Sequence, residues 1–232
     1  MTSAAAATTR EMQELRAKFN VVPAEMKVGR PKNIMVIGTE YITDPYLCYP
    51  RGETEGAGAH GYKFHVRVHI IAMRGKNGAS AAMLPTVRVI TAGKPYRSAS
   101  YSDPGIHDTH EKSNLADGMT LAEMDPSGEL DLNLVIAMKE LMTAVRPLIK
   151  KYDEVEELGY GLLGVDVMFR EDKSAVVLEI NEEPAIGGDD DAHVGIRKEV
   201  TRAIYIVAVA PVFGLPLSQE DVDLRRRLVR VC

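Results

Sequence analysis

Residues 164–184, GVDVMFREDKSAVVLEINEEP, place two short apolar runs around a polar centre, the pattern of a β-hairpin. With Asp172 and Lys173 as the central turn residues, pairing outward sets Asp166 against Glu179, Val165 against Ile180, Val167 against Leu178 and Phe169 against Val176. One face is then continuously apolar and rests on a core. The other carries Gly164, Asp166 and Met168 opposite Asn181, Glu179 and Val177. Two carboxylates directly opposite destabilise a sheet by roughly 0.2–1 kcal/mol. A bound cation removes that defect, and so do nearby Lys or Arg side chains on a solvated face. Asn181 adds a neutral oxygen one strand step beyond Glu179. Asp166, Glu179 and Asn181 together offer the all-oxygen surroundings that suit Mg2+.

The rest of the chain narrows the classes. Its 232 residues are 45% hydrophobic, ample for a buried core in one large domain or two small ones. A net charge of -5 argues against a general nucleic-acid or membrane binder, although LRRRLVRVC at the end is locally basic. Cys48 and Cys232 make neither a disulfide framework nor a zinc pattern, which fits a reducing compartment and a cytoplasmic location. No run is apolar for long enough to span a bilayer.

Along the chain, residues 9–19 read as a short helix and KNIMVIGTEYI (32–42) as a buried strand. The Gly-rich stretch 50–61 leads into YKFHVRVHIIAM (62–73). There Phe64, Val66, Val68 and Ile70 alternate with a basic face of Lys63, His65, Arg67 and His69. That face belongs either to a site or to a half-exposed edge strand guarded by charge. LPTVRVITA (84–92) is a third strand, and 94–114 is a loop dense in hydroxyls and histidines. Helical spacing of Leu134, Met138, Leu141, Met142 and Val145 predicts a helix from Leu132 to about Tyr152, with a second from about Val194 to Val209. The mixture predicts an α+β fold with a mainly antiparallel sheet flanked by helices.

IGTEYITDPYL, KFHVRVHII, YRSAS, HDTH, GVDVMF and LEINEEPA stand in an order and spacing that resembles the tubulin-tyrosine ligase-like branch of the ATP-grasp ligases, over roughly residues 34–190. The resemblance implies an ATP-grasp-like domain over 34–232, preceded by a 1–33 arm that is the remnant of the upstream subdomain. The N-terminal ATP-grasp subdomain, with its lysine and glycine-rich flap, is expected to be truncated or missing. By the same resemblance, Glu40, Tyr41 and Ile42 contact the adenine, and Lys63 and Arg67 face phosphates and acceptor. Arg97 reaches the transferring phosphoryl group, Thr109 lies in a nucleotide-side loop, and Asp166, Glu179 and Asn181 hold Mg2+. His65 and His110 stand where the family pattern has Asp and Asn.

The implied activity is ATP-dependent amide formation. A protein carboxylate, on a tubulin tail or a similar acceptor, is activated as an acyl phosphate and joined to a free amino acid. The implied setting is the cytoplasm, in association with the cytoskeleton. Two alternatives stay open: a catalytically impaired relative that binds a nucleotide or a protein tail, and an ATP-grasp ligase for a small-molecule acid.

Overall fold

A computed structural model describes residues 41–49, 60–75, 78–97, 103–109, 119–150, 159–186 and 191–232. The expected helix at 9–19, most of the 32–42 strand, Glu40 and His110 lie outside these residues. Ile42–Cys232 forms one compact unit, separate from Met1–Tyr41.

Its frame is a six-stranded antiparallel sheet. The strands are β1 (Phe64–Gly75), β2 (Gly78–Met83), β3 (Arg88–Thr91), β4 (Gly159–Phe169), β5 (Ala175–Asn181) and β6 (Val229–Arg230). The order is β5-β4-β1-β2-β6, with β3 paired to the first half of β1 and β2 to the second half. The fold class is therefore α+β, as the mixture of patterns predicts. β1 has partners along both edges, which overturns the edge-strand alternative for 62–73. β2, GASAAM, has no sequence signal: small residues of low strand preference extend there because β1 offers a ladder.

The two faces of β1 have different fates. Phe64, Val66, Val68 and Ile70 are fully buried and share a core with Val165, Val167 and Phe169 of β4. Over that core lies helix α3 (Glu129–Lys150), which contributes Leu134, Met138 and Met142 at the predicted helical spacing. Two short helices, α1 (Pro104–His107) and α2 (Leu121–Met124), precede it. On the opposite face, Ile71 and Leu84 meet Val200, Ala203 and Ile206. These come from α4 (Asp191–Ile204) and the π-helical turn Tyr205–Val209 that continues it. Short α5 (Ala210–Phe213) and α6 (Gln219–Arg227) follow, and Leu224 of α6 joins this second core. Among the described residues no helix is long and apolar enough to cross a membrane.

The β4–β5 hairpin forms, with one correction. Its loop has three residues, Glu171 to Lys173, closed by Arg170 N–H to Ser174 O at 3.0 Å, with Lys173 in the left-handed region at φ 64°. The extra residue shifts the register, so Phe169 faces Ala175, Met168 faces Val176 and Val167 faces Val177. A bulge at Leu178 then absorbs the offset. Beyond it Asp166 faces Glu179, Val165 faces Ile180 and Gly164 faces Asn181, as the spacing predicts. The expected apolar face is only partly buried, because Leu178 and Ile180 are exposed.

Candidate functional site

Four charged residues stand in one line across the sheet: Arg88 on β3, Arg67 on β1, Asp166 on β4 and Glu179 on β5, each directly opposite the next. The alternation that sends Val66 and Val68 into the core sends Lys63, His65, Arg67 and His69 to this face. There the chain buries polar groups densely. Lys63, His65, His69 and Asp166 are all buried, and Arg67 retains 14% of its exposure.

Arg67 grips Asp166 with a planar fork, Nε to Oδ1 at 2.7 Å and Nη2 to Oδ2 at 2.6 Å. Burial pushes the Asp166 carboxyl up, but the Arg67 bond and the charges of His65 and Arg67 outweigh it and hold the group below the usual carboxylate range. His65 Nε2 lies 3.9 Å from Asp166 Oδ1, and its Nδ1 is 2.5 Å from Thr109 Oγ1. Burial pushes the Lys63 ammonium down to about 8. At neutral pH it keeps a proton that it can lose within the physiological range.

Glu179 is exposed at the rim, where its Oε1 accepts a bond from Asn181 Nδ2 at 3.0 Å. That bond leaves the Asn181 carbonyl oxygen unused by Glu179. Opposite Asn181, Gly164 packs against Pro184: a Cβ on Gly164 would sit 2.5 Å from the Pro184 Cβ. This close approach requires glycine and lays the Glu-Glu-Pro turn over the end of the polar face.

The hairpin is clamped at its far tip. Lys173 Nζ reaches Asp125 Oδ1 at 3.1 Å, Ser127 Oγ at 3.0 Å and Glu129 Oε2 at 2.5 Å, while Asn133 Nδ2 donates to the Lys173 carbonyl at 2.9 Å. The segment after Ile42 closes the other side, with Tyr46 N–H to Phe169 O at 2.8 Å and Glu171 N–H to Asp44 O at 2.7 Å. Both clamps fix the height of Asp166 and Glu179 relative to β1.

Lys63, Arg67, Thr109, Asp166, Glu179 and Asn181 therefore fall on or against one sheet face. Ile42 is buried, whereas Tyr41 is half-exposed and belongs to the other unit. Arg97 is exposed, and among the described residues no hydrogen bond or ion pair ties it to this face. Two residues of the face escape a reading by motif, Arg88 and His69. His69 is visible in the alternation of β1, but Arg88 is found only by pairing β3 with β1, and that register is not written in either segment.

Glu179, Asn181 and the second lone pairs of Asp166 are the donors that Mg2+ prefers, so the residues fit. The charge argument for a metal loses force, however. Arg67 already supplies the positive partner that relieves Asp166 and Glu179 of their mutual repulsion, the second of the two remedies open at the sequence level. Among the described residues no cluster of three or more His, Cys, Asp or Glu side chains is arranged to hold a metal.

A cavity of about 390 Å3 lies apart from this face, between α4 and α6, and is lined by Lys198, Arg202, Glu220, Asp223 and Leu224 among others. Its charges are largely spent on one another: Arg202 pairs with Asp221 and Glu220, and Arg226 with Asp223. No protein-family model matches the chain, and no curated protein matches it.

Proposed function

We propose that the chain is an ATP-grasp-like carboxylate–amine ligase, joining a free amino acid to a carboxylate on a protein acceptor such as a tubulin tail, in the cytoplasm. The observation that carries this reading is the polarity of one sheet face. Lys63 stands just before β1 and Arg67 on it, Asp166 stands opposite Arg67 on β4, and Glu179 and Asn181 stand on the next strand, β5. A triphosphate fits the basic side and its metal fits the acidic side. Bound Mg-ATP would supply the phosphoryl group that activates the carboxylate as an acyl phosphate, and the amine would then attack the acyl carbon and release phosphate.

The chain's own residues have defined work in that scheme. Lys63 neutralises phosphate charge from a buried position, where the low dielectric strengthens the interaction. Arg67 is held rigid by Asp166, so its remaining N–H groups are aimed before a ligand arrives. Glu179 and Asn181, at the accessible rim, hold the metal, with Asp166 behind them. No side-chain nucleophile is required.

A second reading is a relative that binds nucleotide or a protein tail without turnover. It is favoured by the closed Arg67–Asp166 fork, whose guanidinium satisfies the buried carboxylate without a metal ion, and by Arg97, for which no hydrogen bond or ion pair to the polar face is found among the described residues. Titration calorimetry of Mg-ATP into the chain and into Glu179→Ala tests both readings. Binding that is lost in the variant supports a metal-nucleotide site, and phosphate release that depends on added acceptor and amino acid then selects the ligase. Absence of binding in the unaltered chain overturns both.

A further inference from the structure

The cavity between α4 and α6 carries a charge imbalance. Each acid on its wall is already engaged. Glu199 accepts from Thr86, N–H to Oε1 at 3.2 Å and Oγ1 to Oε2 at 2.6 Å. Asp223 Oδ1 accepts from Gln219 Nε2 at 3.1 Å and from Arg226 Nη1 at 3.4 Å. Glu220 pairs with Arg202, whose Nε also holds the buried Asp221 at 2.6 Å.

Two cations on the same wall are not engaged. Lys198 and Arg227 both line the cavity, and among the described residues no carboxylate or hydrogen-bond acceptor holds either of them. Lys198 lies one turn before Arg202 on α4, and Arg227 lies nearly two turns after Glu220 on α6. Both therefore stand away from the Arg202 clamp. With the neighbouring acids paired elsewhere, they leave an uncompensated positive potential in a concave surface.

The helices that carry these cations are fixed independently of any ligand. Ser218 and Asp221 cap α6 reciprocally, Asp221 N–H to Ser218 Oγ at 3.2 Å and Ser218 N–H to Asp221 Oδ2 at 2.9 Å. The Thr86–Glu199 bonds tie α4 to the segment between β2 and β3, and buried Leu224 anchors α6 in the second core while giving the cavity an apolar wall. Its volume of about 390 Å3 falls in the range of small-molecule sites, and a bare inorganic ion would leave most of it to water.

We propose that this cavity binds a small organic anion, a phosphate monoester or a dicarboxylate, with one oxyanion group held between Lys198 and Arg227. Arg227 supplies a planar fork and Lys198 a point charge. The carbon frame rests on Leu224, and hydroxyl groups of the ligand donate to lone pairs of Glu220 and Asp223 that the ion pairs leave unused. The site lies apart from the polar sheet face and does not rest on the ligase reading.

The test is calorimetric titration of glucose 6-phosphate, malate, inorganic phosphate and glucose into the full chain and into Lys198→Gln, Arg227→Gln, Arg227→Lys and Arg225→Gln. Lys198 and Arg227 are exposed and have no described bond to lose, so their variants keep the fold, which thermal melts verify. Arg225 is an exposed cation of the same helix that does not line the cavity, and it controls for the general basicity of the surface. The expected result is binding of glucose 6-phosphate, malate or both, weakened at least about tenfold in Lys198→Gln and in Arg227→Gln. Arg227→Lys recovers part of the loss, Arg225→Gln stays within about twofold, and glucose does not bind. Loss for glucose 6-phosphate assigns a phosphate monoester, and loss for malate assigns a dicarboxylate. Binding of neither by the unaltered chain overturns the site, as does a loss in Arg225→Gln equal to that in Arg227→Gln. Inorganic phosphate bound as tightly as the organic anions overturns it too, since that result leaves only a surface ion contact.

Discussion

Arg67 and Asp166, directly opposite each other on adjacent central strands, are joined by two bonds of 2.7 and 2.6 Å with the carboxylate at 2% exposure. Removing the guanidinium leaves a buried carboxylate facing Glu179 with only His65, 3.9 Å away, on its positive side. Arg67→Ala is expected to lose roughly 3 kcal/mol of unfolding free energy, the scale for breaking a buried pair from one side. If Glu179 and Asn181 are metal ligands, Mg2+ takes over the missing charge, and urea denaturation with and without Mg2+ shows a partial recovery in the variant. A variant indifferent to Mg2+ would remove the metal assignment. The folded Asp166 carboxyl lies below its ordinary value, so its contribution is complete above the unfolded pKa and lost as pH falls through the folded one. Arg67→Ala should flatten that acid limb.

Gly164 meets Pro184 where a side chain has no room, since the nearest Pro184 atom would lie 2.5 Å from an added Cβ. A proline ring cannot rotate away, and strand β4 is fixed between β1 and β5. Gly164→Ala should therefore cost about 1–3 kcal/mol, the range for overpacking a fixed contact. Pro184→Gly in the same chain should recover most of it, and chemical denaturation of the single and double variants measures both effects. Equal losses in the single and double variants would place the strain elsewhere.

The facing of Asp166 and Glu179 was legible from spacing for a reason that spacing does not reveal. A two-residue turn predicts the pair, and the actual loop has three residues because Lys173 adopts a left-handed conformation and inserts its ammonium between Asp125 and Glu129. The bulge at Leu178 cancels that offset before Asp166 is reached. The alternation of β1 was legible because its apolar half is an unbroken set of β-branched and aromatic residues. Burial of its basic half was not, since that depends on which strands flank it. Arg88 and β2 were hidden for the same reason: their roles are set by pairing with a distant segment, and GASAAM carries no period of its own.

His69 is held neutral in the fold, its pKa pushed down to about 4 by burial first and by Arg67 and Arg88 second. In the unfolded chain a histidine titrates near 6.5. The contribution of the neutral ring is thus present above about pH 6.5 and is lost as pH falls toward 4, at up to roughly 1.4 kcal/mol per pH unit. His69→Phe removes that acid sensitivity. It also removes two buried nitrogens that have no hydrogen-bond partner among the described residues, so at pH 7 the variant should be more stable by about 1–3 kcal/mol. Denaturation curves at pH 7, 6 and 5 separate the two effects, and a variant less stable than the parent at pH 7 would mean that the imidazole is better satisfied than its surroundings indicate.

Lys63 gives opposite signs to binding and stability, which makes its assignment testable in one pH series. Burial lowers its pKa to about 8, while an unfolded lysine holds its proton to about 10.4. Between these values the unfolded chain binds more protons than the folded one, so folding stability contributed by this group rises with pH. Charge available to a phosphate falls over the same interval. If Lys63 faces the triphosphate, Mg-ATP affinity should decline above about pH 8 as the unfolding free energy improves. In Lys63→Arg the guanidinium stays protonated, and affinity should stay level across the series. Calorimetric affinities and urea midpoints from pH 7 to 10 give both curves. A parallel decline in affinity and stability would point to alkaline loosening of the fold and not to a phosphate-binding ammonium.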